Sequence, residues 1–244
     1  MTLSRNGNRP HSPPYLIDNI LPSNEIHLLA GPTGAGKTRW LFDTLMAWEK
    51  GLPVLGLASH PMPWIYVAGD RSIDAVYRTL DTMGISRAAF EILPAWDEKL
   101  TFNGIIELVQ CSGAKLAVLE GFGQYVDPPG HTHQVRNFLR SACETIKMHD
   151  ITVLGVVECP KMKPKDVYTN PRQRVSGAAA WGHHSETIFL VEPANPGDAS
   201  DPTRNITGCP RNYAGIVKLA RFDRNGKLVL CKESKNGNML VMDR

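Results

Sequence analysis

Gly31-Pro32-Thr33-Gly34-Ala35-Gly36-Lys37-Thr38, with Arg39 directly after it, is the stretch whose residue types and spacing most clearly specify a chemistry. Its glycines let successive backbone N–H groups turn toward one point, so an anion placed there meets several donors at once. Lys37 brings an ammonium to the outer phosphates of a nucleoside triphosphate, and the Thr38 hydroxyl offers an oxygen to Mg2+. The eight residues fit GxxxxGK[ST] in full, between an apolar run (residues 25–30, EIHLLA) and a segment with apolar Trp40, Leu41, Leu45 and Trp48 at helical spacing. A chance glycine-rich turn lacks that strand–loop–helix setting. The expectation is an ATP–Mg2+ site formed by Gly31, Pro32, Thr33, Gly34, Ala35, Gly36, Lys37, Thr38 and Arg39, with Lys37 also serving hydrolysis.

A second chemical signal is cationic. Lys161, Lys163, Lys165, Arg172 and Arg174 crowd residues 161–184, a segment with one acid, Asp166. A cationic loop suits nucleic-acid phosphates, and Tyr168 is placed to stack on a base. The competing reading is an ordinary solvated charged loop. Residues 121–133 carry Gln124, Tyr125, His131 and His133. Phosphate contact or plain exposure suits this HxH better than a metal site. There is no HExxH, no GxSxG and no paired Cys/His array. Five cysteines, an odd number without CxxC spacing, point to free thiols in a reducing compartment.

The elements that must position these groups alternate. Strands are expected at residues 25–30, 64–69, 115–119, 151–157 and 186–191, and helices at 37–50, 73–83, 102–111 and 134–149. Strand-like runs unbroken by polar residues imply a mainly parallel sheet covered on both faces. Residues 215–222 and 227–231 flank Arg224-Asn225-Gly226, a hairpin signal, and predict an antiparallel extension. Residues 192–211, rich in Pro, Asn, Asp and Gly, are expected to form a long exposed loop. Residues 1–14 are expected to be a flexible lead-in to a domain spanning 15–244.

The segments LIDNILPSNEIHLLAGPTGAGKTRWLFDTLMAWEKGLPVLG and PWIYVAGDRSIDAVYRTLDTMGI resemble RecA-fold ATPases. Within that group the chain is most similar to the RepA-type hexameric replicative helicases of plasmids and phages, from about Leu16 onward. The "LIDNILP" and "LPVLG" stretches carry more of the likeness than the generic phosphate loop. The resemblance implies that Asp70, where the family usually has Glu, polarises the attacking water. It also implies that Glu120, where the family usually has Asp, supports Mg2+ together with Thr38. Glu158 matches a position that senses the γ-phosphate and passes its state to the DNA-binding loop, where relatives often carry His or Gln. The segment Arg174-Val175-Ser176-Gly177-Ala178 matches a recurring turn. ATP in such rings lies at a subunit interface completed by a neighbour's cation. Lys232 and Lys235 match that finger, with Arg221 in reserve; a hairpin edge guarded by lysines is the alternative.

These readings give an α/β fold with a RecA-like P-loop core and a C-terminal antiparallel hairpin extension. The expected function is an ATP-hydrolysing motor on single-stranded DNA, a ring-forming and hexameric replicative helicase. A recombination ATPase that does not unwind, and a regulatory or assembly ATPase that needs no DNA, remain alternatives. The 244 residues suit one large domain, and a net charge of +3 does not by itself mark a nucleic-acid binder. No apolar run reaches signal-peptide or membrane-span length, so a cytoplasmic protein is expected.

Overall fold

The computed structural model describes residues 15–95, 100–126, 132–159, 171–175, 179–198, 200–212, 214–224, 227–233 and 239–241. The expected lead-in, residues 1–14, lies outside them. At the centre is β3 (Ile26–Gly31), buried along its whole length. It is flanked in parallel by β7 (Thr152–Glu158) and β8 (Thr187–Pro193). Beyond β7 lie β6 (Leu116–Leu119), β4 (Trp64–Ala68) and the edge strand β5 (Ile92–Pro94), all parallel. Helices packed on both faces of this parallel part of the sheet bury its strands on both sides, which is why these runs are apolar without alternation.

On the other flank the sheet turns antiparallel. β9 (Thr203–Pro210) pairs with β8, followed by β10 (Ile216–Phe222), β11 (Leu228–Glu233) and β12 (Met239–Val241). The ten-stranded order is β12-β11-β10-β9-β8-β3-β7-β6-β4-β5. A short antiparallel pair, β1 (Tyr15–Ile17) and β2 (Leu21–Pro22), precedes it. The α/β class, the mainly parallel sheet and the antiparallel extension are therefore as the sequence implied.

Helices cover both faces. On one, α1 (Lys37–Glu49) and α2 (Ile73–Thr82) set Leu41, Phe42, Leu45, Val76 and Leu80 against Leu29, Tyr66 and Val118 of the sheet. On the other, α3 (Phe102–Ser112), α4 (Thr132–His149) and α5 (Ala179–His184) set Ile105, Leu139, Ile146 and Trp181 against Leu28, Val67 and Val153. Full burial of each large apolar side chain contributes about 1.5–3 kcal/mol. α2 starts where the Ser72 hydroxyl accepts from the Ala75 N–H, with Asp74 in the first turn; α3 starts the same way at Thr101. Among the described residues, no helix is long and apolar enough to cross a membrane.

Residues 192–211 correct an expectation. They are not one exposed loop, because Thr203–Pro210 forms β9 with paired strands on both sides. Its composition is poor for a strand, but two-sided pairing satisfies its backbone, and only Ile206, Gly208 and Pro210 turn fully inward. Tertiary pairing overrides propensity here. The edge strands β5 and β12 were likewise not anticipated, and α4 begins two residues before the expected start.

Candidate nucleotide site

The phosphate loop forms because β3 ends at Gly31 and α1 begins at Lys37 with a left-handed turn between. Gly34 and Gly36 have φ of 81° and 94°, and no side chain caps the start of α1. The first-turn N–H groups and the positive end of the helix therefore face the cleft. Gly36 is required twice, since a Cβ there would be strained by its φ and would strike the Phe222 ring. Phe222 ends β10, and Arg204 on β9 lies 5.3 Å from that ring centre. The Arg204 Nε–H donates to the Ala35 carbonyl at 3.0 Å. The antiparallel extension thus braces the loop from the side.

The carboxyl ends of β3, β4, β6 and β7 converge on a cleft of about 970 Å3 beside this loop. Ligand sites in open α/β sheets lie at such strand ends. Lys37, Thr38, Arg39, Asp70, Glu120 and Glu158 all line it. The Lys37 Nζ donates to the carbonyls of Gly31 at 2.8 Å and Pro32 at 3.3 Å, folded back along the loop. Burial lowers its pKa from the usual lysine range, opposed by the charges of Glu158, Asp70 and Glu120 among others.

Thr38 donates to Glu120 Oε1 at 3.1 Å. Asp70 and Glu120 leave adjacent strands side by side, because Gly69 has no Cβ to strike the Glu120 carbonyl and the Gln124 side chain. The two acids have opposite surroundings. Asp70 is half exposed at the rim, whereas Glu120 is 1% exposed. Burial, followed by the nearby Asp70 charge, pushes the Glu120 carboxyl up to about 7, against the opposing influence of Arg71, Tyr66 and Thr38. The buried Tyr66 hydroxyl lies close enough to feel this carboxylate without reaching hydrogen-bond geometry.

Thr38 and Glu120 fit Mg2+. They are a hydroxyl and a carboxylate, hard oxygen donors held together, and Mg2+ typically takes one or two protein oxygens plus phosphates and water rather than a full protein cage. Among the described residues there is no group of three or more His, Cys, Asp or Glu able to hold a metal. A site completed by nucleotide phosphates is consistent with that.

Arg71, which the sequence reading left aside, reaches into the same place. Its Nη2 donates to Thr38 Oγ1 at 3.0 Å and pairs with Glu120 Oε1 at 2.6 Å. Thr33, in the phosphate loop, donates to Glu158 Oε1 at 2.7 Å. Arg71 directly follows the candidate acid in VAGDRS, so a search for cations beside that acid would have found it. Arg204 and Phe222 had no comparable signal, since they reach the loop only through strand pairing.

The cationic segment needs correction in part. Arg172 is committed to main-chain carbonyls: Nη1 donates to Gly182 at 2.7 Å and Ser185 at 2.9 Å, and Nη2 to Glu186 at 2.6 Å and Cys209 at 3.1 Å. It thereby closes the carboxyl end of α5. Arg174 is ion-paired with Glu192, each side chain 8% exposed. Neither guanidinium is presented to a nucleic acid, because each satisfies a buried partner. Lys161, Lys163, Lys165, Tyr168, His131 and Lys235 lie outside the described residues. His133 is exposed in the first turn of α4. Lys232 lies on β11 opposite Leu240 of β12, and Arg221 on β10 is exposed.

Fold and site together define a RecA-like P-loop ATPase. Residues 2–118 match the family model described as AAA domain. No curated protein matches the chain. Among solved structures, a KaiC-like protein from the hyperthermophilic archaeon Pyrococcus horikoshii OT3 superposes with a TM-score of 0.61 at 15% identity. The match covers 88% of this chain and 93% of that one. At that identity the likeness speaks for the fold.

Proposed function

We propose that this protein is an ATP-hydrolysing motor that acts on single-stranded DNA, a ring-forming replicative helicase of the RepA type. The observation that carries the reading is the hydrogen bond between Thr33 and Glu158. It ties the loop that would receive the γ-phosphate to the end of β7, and the chain runs from there into the segment bearing Lys161, Lys163 and Lys165. An arriving γ-phosphate would repel the Glu158 carboxylate and loosen this bond, so nucleotide state would be felt where the basic segment begins.

In this reading the loop N–H groups and Lys37 hold the phosphates, and Lys37 stabilises charge on the transferring group. Mg2+, when bound, neutralises phosphate charge. Thr38 and Glu120 would hold it. Asp70, at the open rim, would orient the attacking water. With Arg172 and Arg174 engaged inside the fold, DNA contact would fall to Lys161, Lys163 and Lys165.

The KaiC-like neighbour is compatible with a second reading, a regulatory or assembly ATPase of the same fold that needs no DNA. The deciding experiment compares ATP turnover with and without single-stranded DNA, alongside unwinding of a forked duplex. We expect stimulation and unwinding, both lost in the K161A/K163A/K165A triple variant. Stimulation without unwinding would favour a recombination-type ATPase, and no response to DNA would favour the regulatory reading.

A further inference from the structure

Glu120 is almost wholly buried, and an unpaired buried carboxylate is costly. Arg71 supplies the neighbouring cation, at 2.6 Å from Oε1, while the same guanidinium nitrogen holds the Thr38 hydroxyl at 3.0 Å. These two oxygens are the pair that fits Mg2+. A guanidinium at hydrogen-bond distance from both and a dication bound to both cannot occupy one place. One cation must leave before the other binds.

Arg71 is able to leave. Its side chain is 31% exposed and lines the open cleft. Its Nε already lies 3.7 Å from Asp70 Oδ1, at the rim. The residue stands between the end of β4 and Ser72, the cap of α2, so its backbone is fixed while its long side chain swings.

We propose that Arg71 is a placeholder cation. It keeps Thr38 and Glu120 in their metal-binding arrangement when no metal is present, and gives way to Mg2+ only when nucleotide phosphates or Asp70 take up its charge. The device makes metal binding depend on nucleotide: Mg2+ alone meets a resident positive charge, whereas Mg2+ carried on a triphosphate brings the anion that receives the displaced guanidinium. The proposal rests on the reading of Thr38 and Glu120 as the Mg2+ donors, and the experiment separates the two.

Mn2+ serves as the probe, with binding followed by electron paramagnetic resonance in the absence of nucleotide. Wild-type protein is expected to bind Mn2+ weakly. R71Q, which keeps hydrogen-bonding capacity without the charge, is expected to bind it at least ~10-fold more tightly, since a like charge beside the site is removed. R71K, which keeps the charge, is expected to behave like wild type. Metal-free R71Q is also expected to melt at a lower temperature than wild type and to recover on Mg2+ addition, which guards against mistaking misfolding for an effect on metal. If folded R71Q binds Mn2+ no better than wild type, while T38V and E120Q weaken Mg2+-dependent nucleotide binding, the placeholder role is overturned and the metal site stands. If T38V and E120Q leave that Mg2+ dependence untouched, the metal-site reading itself falls, and the placeholder role falls with it.

Discussion

The Thr33 hydroxyl donates to the Glu158 carboxylate across 2.7 Å, joining residues 125 positions apart in sequence. One partner belongs to the phosphate loop and the other ends a central strand, so each feels displacement of the other. T33V removes the donor while preserving shape. We expect it to bind nucleotide within a few-fold of wild type but to lose the difference in single-stranded DNA affinity between a non-hydrolysable ATP analogue and ADP. Fluorescence anisotropy with a labelled oligonucleotide measures this, and a nucleotide-dependent difference that persists in T33V would remove the bond from the coupling path.

K37A should abolish turnover without disturbing the fold. Among the described residues, the ammonium bonds the carbonyls of Gly31 and Pro32. Its loss removes a principal charge on the transferring phosphoryl group, for which a drop of at least ~100-fold in turnover is expected. Phosphate release measured beside circular dichroism decides it, and near-normal turnover in the folded variant would refute the assignment.

R172A separates structure from binding. Four main-chain carbonyls lose the Arg172 donor, two of them at and just beyond the end of α5, while that of Glu186 keeps the Arg211 N–H at 2.8 Å. Leaving partly buried acceptors unsatisfied costs about 1–3 kcal/mol, readable as a lower urea midpoint. A variant as stable as wild type with weakened DNA binding would return Arg172 to the role its charge suggested.

Glu120 and His27 pull stability in opposite directions with pH. Burial and the Asp70 charge push the Glu120 carboxyl up to about 7 in the folded protein, from its ordinary value of 4.5. Between those values the folded state holds the extra proton, so this group's contribution is fully present below about 4.5 and is lost as pH rises through 7. His27, buried in β3 with its Nε2–H donating to the Pro22 carbonyl, is held neutral with its pKa pushed down to about 3 by burial. Its contribution is fully present above about 6.5 and is lost as pH falls toward 3. Urea unfolding of metal-free E120Q and wild type at pH 5, 6 and 7 should therefore show the variant gaining on wild type as pH rises, by up to ~1.4 kcal/mol per unit. A stability gap independent of pH would mean that Glu120 is not held near neutrality.

The parallel core was legible because its strands bury both faces and so read as unbroken apolar runs, as IHLLAG does. The loop from Gly31 to Thr38 was legible because phosphate binding dictates its glycines, lysine and hydroxyl one by one. β9 was not, because TRNITGCP draws its order from neighbours that lie far off or on either side, not from its own composition. Arg172 misled for a related reason. Sequence shows a guanidinium's charge, but only the fold shows that backbone carbonyls have already claimed it. Arg71 was in plain view, yet its importance comes from reaching Thr38, 33 positions away.

The brace on the phosphate loop has a consequence for the order of events during synthesis. The loop itself emerges early, but Arg204, which holds the Ala35 carbonyl, follows it by 169 residues, and Phe222 comes later still. A nascent chain carrying only β3 and α1 has the phosphate-binding residues without their lateral support. We therefore expect affinity for nucleotide to rise once the antiparallel strands have formed, and a chain truncated before β9 to bind ATP more weakly than the finished protein.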